Sequence, residues 1–137
     1  MGIVTLVSGG MDSTLMSLMA QEEGIVLFPL FVDYGQLAAD KEWETCKHLH
    51  KKYDLPKVTR MDLSGFGETI PSGITNSHLR INEDAFLPGR NLLFILAGAA
   101  YAFKVQANSV AIGLLDPVDS LFSDQTTAVQ NKLKQKT

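Results

Sequence analysis

Absences frame this 137-residue chain first. It has a single cysteine, Cys46, which excludes an internal disulfide and any multi-cysteine metal site built from this sequence. No lysine precedes Lys41, so its early glycine turn is not a Walker-type loop, which needs a lysine to reach the outer phosphates. Its apolar segment at 92–103 is about twelve residues, against the roughly twenty that a bilayer span requires. The first residues lack a basic region and their apolar run is interrupted by glycines, so no secretory signal is expected. A net charge of -3 gives no electrostatic case for a nucleic-acid backbone as partner. With 45% hydrophobic and 20% charged residues, the sequence reads as one soluble cytoplasmic domain over residues 1–137 with a single core.

The stretch that is present and carries chemistry is Ser8-Gly9-Gly10-Met11-Asp12-Ser13. It lies between an apolar run at 3–7 and a helix-like run from Asp12 to Glu22 that Gly24 is placed to end. A strand, a glycine turn and a helix start form a phosphate-binding corner. The glycines let backbone approach a ligand closely, and the first helical N–H groups point unpaired at whatever sits in the turn. Ser8, Ser13 and Thr14 add hydroxyls. The dinucleotide fingerprint needs a third glycine that Met11-Asp12-Ser13 does not supply. A carboxylate, Asp12, stands there instead, which suits a Mg²⁺ placed between it and phosphates.

A second strand is expected at 25–32, with Pro29 as a bulge or a non-hydrogen-bonding position. It leads into Asp33-Tyr34-Gly35-Gln36, which should face the same crevice, since ligands of open α/β sheets sit off the carboxyl ends of strands. Asp33 suits a metal or a ribose hydroxyl, and equally a cap on the next helix. Gln36 suits a base or a substrate amide, and Tyr34 covers the rim. A helix at 37–53 places Ala39, Trp43, Cys46, Leu49 and Tyr53 on one face, so Cys46 reads as a small buried hydrophobe. His48 and His50, two apart, cannot share a helix face and read as solvated or packing residues.

A third strand at 58–63 precedes an irregular piece at 64–88, read as a lid or substrate loop, in which His78 and Arg80 take no assigned role. Pro88-Gly89-Arg90-Asn91 then opens a helix that is apolar on every side, which needs cover from the sheet and from another subunit or further chain. Arg90 at its start opposes the helix dipole, a placement that a bound polyphosphate would offset. A fourth strand at 109–113 and a terminal helix at 126–134 complete the expected elements, with Asp116, Asp119 and Asp124 between them on the ligand side.

The Ser-Gly-Gly-x-Asp-Ser loop after a first strand resembles the PP-loop ATP pyrophosphatases, which cleave ATP between the α and β phosphates. With Asp33-Tyr34-Gly35-Gln36, Pro88-Gly89-Arg90-Asn91 and Ile112-Gly113 in the same order, nearly the whole chain resembles the 7-cyano-7-deazaguanine synthases. The resemblance implies an α/β fold of the Rossmann-like adenine nucleotide alpha hydrolase type, a parallel sheet flanked by helices. It implies a ligase that makes a carbon–nitrogen bond, converting 7-carboxy-7-deazaguanine and ammonia with ATP and Mg²⁺ into the nitrile, a queuosine or archaeosine precursor.

Mapped onto these positions, Val7, Ser8, Gly9, Gly10, Met11, Asp12, Ser13, Thr14 and Leu15 would hold ATP with Asp33, Gln36, Gly89, Arg90 and Asn91. Asp12 and Arg90 would be the catalytic pair, with Asp12 assisting Mg²⁺. Tyr34, Asp116, Asp119 and Asp124 would face the substrate. A homodimer is expected. The family's cysteine cluster for zinc has no counterpart here, and Gln125 stands where a cysteine is common, so no zinc site and a C-terminally incomplete sheet are expected. The rivals are another PP-loop enzyme, of the tRNA-thiolating or amidotransferase type, and a nucleotide-binding remnant without turnover.

Overall fold

The computed structural model describes residues 2–70 and 89–112. Four parallel strands form one sheet in the order β3-β2-β1-β4, with β1 at Gly2–Leu6, β2 at Val26–Asp33, β3 at Thr59–Asp62 and β4 at Ser109–Ile112. The helices are α1 at Met11–Glu22, α2 at Ala39–Lys52, α3 at Ser64–Thr69 and α4 at Arg90–Val105.

All five residues of β1 are buried, as a central parallel strand covered on both faces requires. Parallel neighbours need crossover connections, and right-handed crossovers put α1 and α2 on one face and α4 on the other. The two core clusters follow that division. Val4, Leu6, Leu30 and Val32 pack with Ala97 and Ala102 of α4, while Val7 and Phe31 pack with Cys46 and Trp43 of α2. Val4, Leu30 and Phe31 are fully buried, each contributing about 1.5–3 kcal/mol through apolar area removed from water.

Pro29 sits in unbroken register opposite Thr5, so the expected bulge is absent. Leu30 O accepts from Val7 N–H on the β1 side, and Asp33 O accepts from Leu63 N–H on the β3 side. Odd-numbered β2 residues therefore turn their backbone groups toward β3. Pairing with β3 begins at Leu30, one residue after Pro29, so the missing donor costs no ladder bond.

Helix α1 buries Ser13, Thr14 and Ser17 rather than its apolar residues. The hydroxyls of Thr14 and Ser17 donate to Gly10 O at 2.9 Å and Ser13 O at 3.0 Å, so this small polar face satisfies its own hydroxyls within the helix. Met11, Leu15 and Met19 are left outside. On α2 the buried face runs through Ala39, Cys46 and His50. Tyr53 is exposed and Leu49 only half-buried, so the face passes through His50, one position later than the spacing predicts. His50 donates from Nδ1 to Pro56 O at 2.8 Å and is a packing residue, while His48 is exposed.

Residues 64–69 of the expected irregular piece form α3, whose Gly67 N–H donates to Tyr34 O at 2.8 Å. Helix α4 packs on β1, β2 and β4, and its Leu92, Leu96 and Phe103 are exposed. The remaining expectations for 71–88, with His78, Arg80 and Pro88, and for 113–137, with Gly113, Asp116, Asp119, Asp124, Gln125 and the terminal helix, lie outside the described residues. Among the described residues no helix is long and apolar enough to cross a membrane.

Candidate functional site

Strand order changes direction between β1 and β4, and ligands of open α/β sheets bind outside the carboxyl ends of strands at such a switch point. A cavity of about 430 Å³ lies there, within the 300–1,000 Å³ range of small-molecule sites. Its floor is Leu6 of β1 and the following Val7, Leu30, Phe31 and Val32 from β2, and Ile112 from β4. Its polar wall is Ser8, Gly10, Asp12 and Ser13 from the loop and first turn of α1, with Gln36, Glu42 and Arg90 opposite.

The loop turns at Gly9, where φ is +80°. A Cβ there would come 3.1 Å from Glu42 O and 3.3 Å from Thr45 Cβ, so α2 closes on the loop only because Gly9 has no side chain. Gly10 precedes α1 in extended conformation and supplies no side-chain cap, leaving the first-turn N–H groups for a ligand. Ser13 Oγ accepts from Ser8 N–H at 3.5 Å and donates to Gly10 O at 3.3 Å, bracing the turn from inside.

Arg90 begins α4, whose preceding residue Gly89 has φ +78°, the left-handed region that favours glycine. The Arg90 guanidinium lies 6.0 Å from the centroid of the Tyr34 ring, and that ring meets Phe94 edge-on at 5.5 Å. Tyr34 is buried and lines the cavity, so it forms wall rather than rim. Arg90, from α4 on the other face of the sheet, thus lines the same cavity as the glycine loop.

The structure brings Val7, Ser8, Gly10, Met11, Asp12, Ser13, Tyr34, Gln36 and Arg90 to one cavity. Others of the predicted set stand apart from its lining. Asp33 Oδ1 accepts from Gly35 N–H at 2.9 Å and its Oδ2 pairs with Arg60 at 2.8 Å, so its carboxylate braces the turn rather than capping α2. Thr14 is buried with its hydroxyl turned to Gly10 O, and Leu15 is 58% exposed on the outer side of α1. Gly9 and Gly89 act through backbone conformation. Asn91 Oδ1 is buried and makes no hydrogen bond among the described residues.

Gln36 is also spent internally. Its Oε1 accepts from Tyr34 N–H at 2.9 Å, and its Nε2 donates to Glu42 Oε1 at 2.8 Å. Sequence reasoning missed Glu42. The available signal was its spacing, three after Ala39 and four before Cys46, which puts an acid on the buried arc of α2. Burial pushes the Glu42 carboxyl above the usual carboxylate range, against the hydrogen bond from Gln36 and the charge of Arg90.

A family model described as "Queuosine biosynthesis protein QueC" matches residues 2–136. The chain belongs to the QueC family. The 7-cyano-7-deazaguanine synthase 1 of Desulfitobacterium hafniense is 32% identical over 122 residues, which cover 82% of this chain and 55% of that protein. The 7-cyano-7-deazaguanine synthase of Sulfurovum sp. is 30% identical over 129 residues, 88% of this chain and 58% of that one. The chain therefore spans little more than half the length of these QueC relatives. A solved structure described as a predicted subunit of tRNA methyltransferase from Methanocaldococcus jannaschii aligns over 98% of this chain and 64% of its own, with a TM-score of 0.51 and 18% identity. That likeness supports the parallel α/β fold.

Proposed function

We propose that this QueC-family chain binds ATP in the switch-point cavity and uses it, as a carbon–nitrogen ligase, to turn 7-carboxy-7-deazaguanine and ammonia into 7-cyano-7-deazaguanine. The observation that carries the reading is the meeting of an uncapped helix N-terminus and a cation, Arg90, across one cavity of nucleotide size. The names of the relatives supply the substrate.

The first-turn N–H groups of α1, with the Ser8 hydroxyl, would hold the β and γ phosphates. Arg90 would neutralise charge as pyrophosphate leaves, which favours the transition state more than bound ATP. Asp12 is exposed in the first turn of α1 and offers hard oxygen donors at the phosphate end, the donor type that Mg²⁺ prefers. The residues fit that ion, which would supply charge neutralisation between carboxylate and phosphates. No covalent protein nucleophile is needed. The substrate carboxylate attacks the α phosphorus, ammonia displaces AMP, and a second activation drives loss of oxygen from the amide. The apolar floor would hold the purine-like rings of both reactants.

We further place the protein in the cytoplasm, with small molecules rather than nucleic acid or membrane as its partners, and as a homodimer whose second copy covers Leu92, Leu96 and Phe103. Among the described residues no group of three His, Cys, Asp or Glu side chains could hold a metal.

The rival reading is a nucleotide-binding unit without turnover. Incubation with ATP, Mg²⁺, 7-carboxy-7-deazaguanine and ammonium decides between them. AMP, pyrophosphate and nitrile are expected. ATP binding without products supports the second reading, and pyrophosphate only with another acceptor points to a different PP-loop activity.

A further inference from the structure

We infer that Glu42, oriented by Gln36, accepts the proton released when the nitrogen nucleophile attacks in the ATP cavity. This rests on the amide-forming reading above and names the group that reading lacks, a base at the reacting centre.

Three features single out Glu42. It lines the same cavity as the glycine loop and Arg90, and its backbone closes against Gly9, so α2 sets its position relative to the loop. Gln36 occupies one oxygen, Oε1, at 2.8 Å, while Oε2 makes no hydrogen bond among the described residues. The same glutamine is fixed at its other end by Tyr34 N–H, so the carboxylate is held by a clamp built from the β2 turn. A half-buried carboxylate fixed at one oxygen and open at the other suits proton transfer.

The surrounding charges agree with that role. Arg90 from α4 pulls the Glu42 carboxyl toward ionisation, Asp33 from the end of β2 opposes it, and burial outweighs both hydrogen bond and cation, leaving the group above the ordinary carboxylate range. Cys46, one turn along α2, stays a neutral thiol with its own pKa pushed up to about 12. Asp12, the other cavity carboxylate, is exposed on α1 and lies toward the phosphate end. A carboxylate with raised affinity for protons is the better base.

The step balances as follows in atoms and charge. The ammonia nitrogen bonds to the acyl carbon of the adenylate, and one N–H proton passes to Glu42 Oε2. The carbonyl re-forms as the carbon–oxygen bond to phosphate breaks, and AMP leaves with that electron pair. Glu42 then returns its proton to water.

The test compares Glu42→Gln with the unaltered chain in two assays: substrate-dependent exchange of pyrophosphate into ATP, which stops at adenylation, and amide formation from ammonium. Exchange is expected to stay within about three-fold, while amide formation falls about 100-fold or more, the scale of a lost general base. The deficit should narrow as pH rises and solution bases take the proton that Glu42 accepts in the parent. Equal loss in both assays, or an undiminished amide rate, overturns the role of Glu42 and leaves ATP-dependent ligation standing. Absence of exchange in the unaltered chain removes the ligation reading and this inference with it. If Glu42→Gln does not fold, Glu42→Asp keeps a carboxylate one methylene further back. It should show the same split, a smaller amide loss with exchange retained, and a uniform loss would again overturn the role.

Discussion

Arg60 on β3 donates from one terminal nitrogen to Asp33 at the end of β2, 2.8 Å away, and from the same nitrogen to Asp40 on α2 at 3.1 Å. Its guanidinium also lies 5.8 Å from the Phe31 ring centroid and 5.6 Å from that of Trp43. The Asp33 side chain is 11% exposed and that of Asp40 is 94% exposed, so the bond to Asp33 carries most of the energy. Arg60→Ala leaves that carboxylate without its partner and should lower stability by about 1–2 kcal/mol. Arg60→Lys keeps the charge but loses the planar fork and should recover less than half. Urea midpoints of the three proteins measure this.

Gly35 has φ +92°, and a Cβ there would lie 2.6 Å from Ser64 O and 3.1 Å from Gly67 Cα. Both obstacles are backbone, so no side chain can swing aside. Gly35→Ala should cost about 2–4 kcal/mol, since overpacking against fixed atoms adds to the penalty for left-handed conformation. The clash displaces α3 from the turn that carries Tyr34 and Gln36, so ATP affinity should fall with stability. Thermal melting and ATP titration of the one variant test both, and a variant as stable as its parent would contradict the described packing.

Periodicity made β1, α1, β2 and β4 legible to within a residue or two, because runs such as Gly2–Leu6 are buried on both faces and carry one signal. It could not reveal α3. Ser64–Thr69 contains two glycines and no apolar repeat, and it is held by Gly67 N–H on Tyr34 O rather than by propensity. At the site, the place of Arg90 on the cavity was legible because a cation at a helix start is locally anomalous. The ion pair of Asp33 was not, because Arg60, its partner, is 27 residues away. The bond between Gln36 and Glu42 was not legible either, because it crosses a turn, and an acid early in α2 passes for an ordinary dipole complement.

Arg90 lines the cavity in which ATP binding is proposed. Removing a charge-assisted contact to phosphate costs about 1.5–3 kcal/mol, or about 10- to 100-fold in ATP affinity. Arg90→Ala should therefore bind ATP weakly, while Lys104→Ala, at the far end of α4, should bind within two-fold of the parent. Asp12→Ala should show its defect only with Mg²⁺ present, and chelating the ion should bring parent and variant together. Both Arg90→Ala and Asp12→Ala should abolish pyrophosphate release, and normal release from the two would refute the site. Calorimetric titration with and without a chelator separates the contributions.

Cys46 is 1% exposed against Phe31 and Val58. Burial, with a smaller push from the charge of Glu42, raises its thiol from 9.0 to about 12. The folded chain therefore keeps a proton that the unfolded chain gives up, so this group's stability is complete below about pH 9 and is lost as pH rises toward 12. Across that window the parent should lose up to about 1.4 kcal/mol per pH unit more than Cys46→Ala. The variant begins lower, because deleting the sulfur opens a small cavity. The two stability curves should converge as pH rises from 9 to 11, measured by urea unfolding under reducing conditions. Parallel curves would mean that the thiol ionises freely in the folded state, and rapid alkylation of the native protein at pH 8 would show the same independently.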